Sequence, residues 1–158
     1  MFPMKEKILD ESISGLMKEG LRFSIDTVAK KLRISKKTVY KYFSSKEDLA
    51  RAVYDKYYYD MDIKINELKS NDCYSFDKLI VLYYQSFCMT RPELFNKFSL
   101  NKSIRDLAIR KHGIIMEKFS IVIRDNKENV LFIINSVFEK LNGGLLTPEL
   151  IKMLEILS

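Results

Sequence analysis

Apolar side chains recur at three- and four-residue intervals through most of this chain, and few residues interrupt the pattern. In the stretch 5–19 the repeating positions are Ile8, Leu9, Ile13, Leu16 and Met17. The 158 residues include only 5 glycines and 3 prolines, which leaves few places for turns. A period of about 3.6 residues is that of an amphipathic helix, whereas half-buried strands alternate with a period of two. We therefore predict an all-α fold.

Length and composition restrict the class of protein further. With 47% hydrophobic and 30% charged residues, the chain has the composition of a globular protein, and 158 residues suffice for one ordinary domain or two small ones. The longest apolar run, Leu79–Tyr84, is far shorter than the roughly 20 residues that span a bilayer. We find no pattern of a secretory leader and expect a cytoplasmic protein without a membrane partner.

The net charge of +6 resides in one short segment. Residues 30–46 contain no Asp or Glu and seven cationic side chains, namely Lys30, Lys31, Arg33, Lys36, Lys37, Lys41 and Lys46. The rest of the chain, with 20 of the 27 Lys+Arg and all 21 Asp+Glu, has a charge of −1. Because the charge is local, it indicates a surface for an anionic partner.

Two short helices are predicted in and beside this segment. Ser24 is a suitable N-cap for the first and Ser35 for the second, which covers residues 36–42. A turn of three residues, 33–35, separates them, as in a helix-turn-helix. In the second helix Val39 and Phe43 lie on one face and are expected in the core. The opposite face and the exposed first turn then present Lys36, Lys37, Thr38, Tyr40 and Lys41, a suitable set for the major groove of DNA.

The stretch 23–49 is similar to the N-terminal signature of the tetracycline-repressor (TetR) family. The residues that carry the resemblance are Ser24, Val28-Ala29, Ile34-Ser35, Thr38-Val39-Tyr40, Phe43, Lys46 and Leu49. The similarity covers about residues 8–53. It implies that phosphates are contacted by Ser24, Tyr40, Tyr42 and Lys46, and that the side chains nearest the base edges are Lys36, Lys37, Thr38 and Lys41.

The chain departs from the family pattern at two places. Arg33 stands in the turn where the family usually has glycine, and an arginine at positive φ would be strained. The loop between Gly20 and Ser24 is one residue shorter than the common pattern. Both departures bear on the angle of the recognition helix.

The remainder of the chain is predicted to be a helical bundle. We place a helix-turn-helix DNA-binding domain at residues 1–47 and a regulatory and dimerisation domain at residues 48–158. A fourth helix, capped by Ser45, extends to about Lys69. The further predicted helices are Ser75–Thr90, Pro92–Ser99, Ser103–Arg124 with a possible break at Gly113, Lys127–Asn142 and Pro148–Leu157.

The resemblance implies that the bundle dimerises through its last two long helices and encloses a ligand pocket. The predicted dimer interface consists of Ile134, Val137, Phe138, Leu141, Leu150 and Leu154, because the first of these helices is apolar on more than one side. The candidate pocket residues are Tyr57, Tyr58, Tyr83, Tyr84, Phe87, Phe95 and Phe98, which suit an apolar or aromatic ligand. Aromatic residues at helical spacing also form ordinary cores, and that alternative remains open.

The sequence contains no motif of a catalytic or metal site. His112 is the single histidine, and there is no HExxH, GxSxG, P-loop or GxGxxG pattern. We expect His112 on the surface or at a helix end, and Cys73 and Cys88 as reduced thiols. We therefore expect no enzymatic activity, no metal and no cofactor.

The resemblance implies a transcriptional regulator, most often a repressor. It would act as a homodimer on a palindromic operator in double-stranded DNA and be released by a small apolar ligand. The alternative is the same DNA-binding dimer without a ligand pocket, controlled by or recruiting a protein partner.

Overall fold

The computed structural model of the chain describes residues 3–70, 75–95 and 100–158. Eight α-helices follow one another, with the bounds α1 Met4–Glu19, α2 Ile25–Lys31, α3 Lys36–Tyr42, α4 Lys46–Ser70, α5 Phe76–Cys88, α6 Leu100–Ser120, α7 Lys127–Leu141 and α8 Pro148–Leu157. Short 3-10 turns lie at Gly20–Arg22 and Pro92–Leu94. The described ranges contain no strand, and the prediction of an all-α fold is confirmed. Nor does any helix within those ranges have the length and apolarity needed to cross a membrane.

Four helices begin directly after a residue whose side chain caps them. The hydroxyl oxygens of Ser24, Ser35, Ser45 and Thr147 each accept a hydrogen bond from the backbone N–H three residues later, at 3.0–3.3 Å. Each bond satisfies one of the N–H groups that a helix start leaves without a partner. Local sequence therefore sets where α2, α3, α4 and α8 begin.

Two of the predicted helices differ from the structure. The segment predicted as a helix over Pro92–Ser99 contains only the 3-10 turn Pro92–Leu94 within its described part. Conversely, α6 begins before Ser103 and continues through Gly113 without a break. A single glycine inside a helix costs about 1 kcal/mol relative to alanine, which the other residues of a long helix can offset.

The chain forms two compact units. The first comprises Met1–Asp60 and Met89–Arg110, the second Met61–Cys88 and Lys111–Ser158. The predicted boundary between residues 47 and 48 lies within α4, after the second residue of that helix, and stays a prediction.

The core of the first unit joins α1, α2, α3 and the first half of α4. Its completely buried side chains include Ile8, Leu16, Phe23, Val39, Leu49 and Val53. Tyr54 is also buried, and its hydroxyl donates a hydrogen bond to the Met89 carbonyl oxygen at 3.0 Å. Gly20 ends α1 at φ +63° and ψ −155°, a conformation that residues with a Cβ rarely adopt. An ideal Cβ there would lie 2.8 Å from the carbonyl oxygen of Leu94.

The core of the second unit is an aromatic cluster centred on Tyr83. This ring lies parallel to the imidazole of His112, with centroids 5.3 Å apart, and stacks against Phe119 at 4.7 Å. The Tyr83 hydroxyl donates to Asn135 Oδ1 at 2.7 Å, and Ser86 Oγ lies 2.7 Å from His112 Nδ1. The prediction that His112 occupies the surface or a helix end is therefore wrong, because the residue lies inside α6 and faces this cluster.

Candidate nucleic-acid interface

The turn between α2 and α3 is closed by the two hydrogen bonds of a Schellman motif. The Arg33 N–H donates to the Lys30 carbonyl at 3.1 Å, and the Ile34 N–H donates to the Ala29 carbonyl at 3.0 Å. This motif requires a left-handed residue at its centre, and Arg33 has φ +55°. The strain expected from an arginine in place of glycine is therefore present in the structure.

Replacing Arg33 by glycine should stabilise the protein. A non-glycine residue in the left-handed region is strained by about 1–2 kcal/mol, and glycine relieves this strain. Part of the gain is offset because glycine has more conformational freedom to lose when the chain folds. We expect a net gain of about 1 kcal/mol and a rise in Tm of about 2–4 °C. Arg33→Ala is the control, because it removes the charge and keeps the Cβ. An equal rise in Tm for both variants in thermal unfolding would contradict this explanation.

The helix α3 presents its polar face to solvent and its apolar face to the core. Val39 has no exposed surface and Phe43 is 5% exposed, whereas Tyr40 and Tyr42 are 42% and 44% exposed. Lys37 and Lys41 are likewise exposed. The division of faces agrees with the periodicity of the sequence, so these cations and phenols are available to a partner.

Thr38 differs from the other residues of this surface because it is half-buried. Its backbone N–H donates to Ser35 Oγ at 3.1 Å, and its own Oγ1 lies 2.8 Å from the same oxygen. The threonine hydroxyl is therefore part of the cap of α3. Its methyl group is the part that suits contact with a thymine methyl.

Two lysines of the basic segment form ion pairs with acids outside it. Lys36 Nζ lies 3.0 Å from Asp26 Oδ2, and Lys31 Nζ lies 2.5 Å from Glu11 Oε1. The hydrogen bond and charge of Asp26 raise the pKa of Lys36. A count of charges within residues 30–46 could not find these acids, because α1 and α2 bring them to the surface from earlier in the chain.

Lys46 is more enclosed than a solvated lysine. Its Nζ lies 4.9 Å from the centroid of the Phe23 ring, a cation–π contact. Burial lowers the pKa of this ammonium group. Beside it, Asp48 completes the cap of α4, since its backbone N–H donates to Ser45 Oγ at 3.0 Å and its carboxylate accepts from the Ser44 hydroxyl. Hydrogen bonds from both serines lower the pKa of Asp48.

The sequence of this helix-turn-helix is similar to that of known regulators. Residues 2–53 match the family described as bacterial regulatory proteins, tetR family. The chain is also 28% identical over 125 residues to the uncharacterized HTH-type transcriptional regulator YvaF of Bacillus subtilis (strain 168). The N-terminal part of the chain is therefore similar to the TetR family. The alignment with YvaF covers 76% of this chain and 64% of the relative. No solved structure gives a significant match.

The aromatic residues predicted to line a ligand pocket are divided between the two units. Tyr57, Tyr58 and Phe95 belong to the first unit, whereas Tyr83, Tyr84 and Phe87 belong to the second. Phe98 lies outside the described residues. In the second unit the three rings pack against Phe138, with centroid distances of 4.7–5.5 Å. Tyr83 and Tyr84 are buried among these rings and Phe87 is half-buried, while the ligand pocket stays a prediction.

A cleft of about 630 Å³ in the second unit has a different lining. Its apolar floor includes Leu68, Val81, Leu82 and Ile151, and its charged edge is formed by Lys64, Glu67, Asp77 and Lys78. Its lining is mainly aliphatic and charged, and it contains none of the aromatic residues predicted for the pocket.

The surface of α7 and α8 also differs from the predicted TetR-type interface. Three of the six predicted residues are completely buried within one protomer, namely Ile134, Phe138 and Leu154. The other three are half-buried, namely Val137, Leu141 and Leu150. The large apolar side chains that these helices expose are Phe132, Ile133, Met153, Ile156 and Leu157. A surface position is therefore wrong for the first three, while the interface itself stays a prediction.

Proposed function

We propose that the protein is a transcriptional regulator that binds a palindromic DNA operator as a homodimer, with α3 in the major groove. The observation that carries this proposal is the orientation of α3, which buries Val39 and exposes Lys37, Tyr40 and Lys41 within the basic segment. The similarity of residues 2–53 to the TetR family supports it. A cationic helix that projects polar side chains suits both the phosphates and the base edges of DNA.

The proposed contact residues divide into two sets by the part of the DNA that each can contact. The tyrosine hydroxyls of Tyr40 and Tyr42, with Ser24 and Lys46, suit phosphate oxygens and would set the register on the duplex. Lys36, Lys37 and Lys41, with the Thr38 methyl group, would lie nearest the base edges, where lysine prefers the two acceptors of guanine. Because Lys46 Nζ is held beside the Phe23 ring, we expect it to contact the DNA backbone and not the base edges.

Replacing Lys37 or Lys41 by alanine should change the sequence preference of the protein. Loss of one base contact costs about 1–3 kcal/mol at one operator position, whereas Lys46→Ala should weaken binding to all duplexes alike. The measurement is fluorescence anisotropy with duplexes selected by the wild type from a randomised library, at several salt concentrations. If Lys37→Ala leaves both affinity and preference unchanged, α3 is not the recognition helix.

We propose that α7 and α8 form the homodimer interface through their exposed apolar side chains. Phe132 and Ile156 are 73% and 78% exposed, and large apolar groups on a surface favour association. Two recognition helices spaced about 34–36 Å apart would contact successive turns of a palindrome.

Phe132→Asp should convert the dimer to a monomer at micromolar concentration, because the introduced carboxylate would be buried without a partner in the interface. Ile114→Asp is the control, since Ile114 is 54% exposed on α6 instead. The measurement is the mass in solution by light scattering. An 18.6 kDa wild-type monomer, with and without DNA, would contradict the proposed dimer.

We propose that the regulator is a repressor that a small apolar or aromatic ligand releases from DNA. Such a ligand must bind the DNA-free conformation more tightly than the DNA-bound one. The close packing of Tyr83, Tyr84 and Phe87 supports the alternative, in which a protein partner controls the dimer. Titration of the DNA complex with small aromatic compounds distinguishes the two, because only a ligand-controlled regulator will dissociate.

A further inference from the structure

Asp26 is an acidic side chain that pairs with the first residue of α3 on the basic surface. Asp26 stands in the first turn of α2, and its Oδ2 accepts a hydrogen bond from Lys36 Nζ at 3.0 Å. The two side chains are 58% and 48% exposed, so each has surface left for a partner. Exposed ion pairs contribute little to folding stability, and this pair therefore invites a different explanation.

The position of the carboxylate is unfavourable for a purely electrostatic DNA contact. Asp26 follows Ser24, a proposed phosphate contact, by two residues, and it neutralises the first residue of α3. Phosphates repel a carboxylate, and pairing with Asp26 weakens the attraction of Lys36 for them. A hydrogen bond from a donor on a base edge to the Asp26 carboxylate would offset this loss of binding energy.

A guanine·cytosine pair offers the complementary pattern in the major groove. Guanine presents two acceptors, O6 and N7, and cytosine presents the N4 amino donor. The Lys36 ammonium group has three donors, so it can donate to Asp26 and to guanine together. The carboxylate has acceptors only and can accept from the cytosine amino group. In an adenine·thymine pair the same carboxylate would meet the O4 acceptor of thymine, which is unfavourable.

We propose that Asp26 and Lys36 together recognise one guanine·cytosine pair in each operator half-site. Lys36 donates to the guanine acceptors and Asp26 accepts from the cytosine amino group, which makes Asp26 a specificity-determining residue. The inference rests on the proposed DNA-binding function and assigns one base pair to a side chain of α2.

The experiment is the selection of duplexes from a randomised library by the wild type, Asp26→Ala and Asp26→Asn. Asp26→Asn keeps the size of the side chain and replaces one acceptor by a donor. Glu11→Ala is the matched control, because it also removes one carboxylate and releases one lysine, Lys31, from an ion pair. Thermal unfolding of each variant checks that the fold is retained.

The wild type should select a motif with a guanine·cytosine pair at one position of each half-site. Both Asp26 variants should lose discrimination at that position by about 5- to 100-fold, while Glu11→Ala keeps it. Asp26→Ala should also bind random DNA more tightly and steepen the logarithmic salt slope by about 0.9, because Lys36 is released to a phosphate. An unchanged motif in the Asp26 variants overturns the inference and leaves the DNA-binding function intact. If the wild type selects no motif, both are overturned.

Discussion

Gly20→Ala should destabilise the protein by about 2–4 kcal/mol and lower its Tm by several degrees. The backbone conformation at Gly20, φ +63° and ψ −155°, is one that only glycine adopts readily. The added Cβ would also lie 2.8 Å from the Leu94 carbonyl oxygen and 3.0 Å from the Leu94 Cα, both of them backbone atoms. Neither contact can be relieved by turning a side chain, so the end of α1 must shift.

Gly113→Ala is the matched control for this prediction. It makes the same chemical change inside α6, where the added Cβ meets no described heavy atom within 4 Å beyond the local backbone of its own helix and the neighbouring residues. Alanine in a helix is favoured over glycine, and we expect a gain of about 0.5–1 kcal/mol. Urea unfolding followed by circular dichroism, at one protomer concentration, measures both variants. Equal effects of the two substitutions would show that the conformation of Gly20 is not the cause.

Acidification from pH 7.5 to pH 5 should destabilise the wild type by about 2 kcal/mol more than His112→Gln. Burial in the aromatic cluster lowers the pKa of His112 to about 4, against about 6.5 in an unfolded chain. The folded protein therefore holds the neutral imidazole, while the unfolded chain takes up a proton below pH 6.5. The lowered pKa of His112 therefore adds to the free energy of unfolding in full above pH 6.5, and this contribution is lost as the pH falls toward 4.

The comparison with the variant isolates one group, because His112 is the single histidine of the sequence. Carboxylates that titrate at lower pH contribute alike to both proteins and cancel in the difference. Glutamine can still form a hydrogen bond with Ser86, which lies 2.7 Å from Nδ1 of the histidine. The measurement is the free energy of unfolding in urea at several pH values. The same acid sensitivity in both proteins would contradict a buried neutral His112.

Local sequence predicted those parts of the fold that depend on neighbouring residues. The caps Ser24, Ser35 and Ser45 act within four residues, so their identity suffices to place the helix starts. The two faces of α3 follow from a period of 3.6 residues in the same way. The strain at Arg33 was expected from the resemblance, because the family usually has glycine in this turn, and the structure has Arg33 at positive φ.

The features that sequence analysis missed depend on residues distant in the chain. Asp26 is ten positions from Lys36, and Glu11 is twenty positions from Lys31, so a local charge count finds neither pair. His112 was placed on the surface because its neighbours in sequence, Lys111 and Gly113, suggested it. Its ring contacts come from α5, where Tyr83 stacks on the imidazole and Phe87 lies edge-on to it. The pocket and interface residues stay predictions for the same reason, since an apolar side chain in the sequence does not reveal which element covers it.

Arg33, with its left-handed backbone conformation between α2 and α3, links folding stability to DNA binding, because one substitution there would change both. The conformation favours glycine, whereas the proposed partner favours a cation at the same position. Laboratory evolution for heat resistance alone would be expected to enrich Arg33→Gly and to yield a more durable protein that binds DNA more weakly. In a cell we expect the arginine to be retained only while tight binding to the operator contributes more to fitness than higher folding stability does.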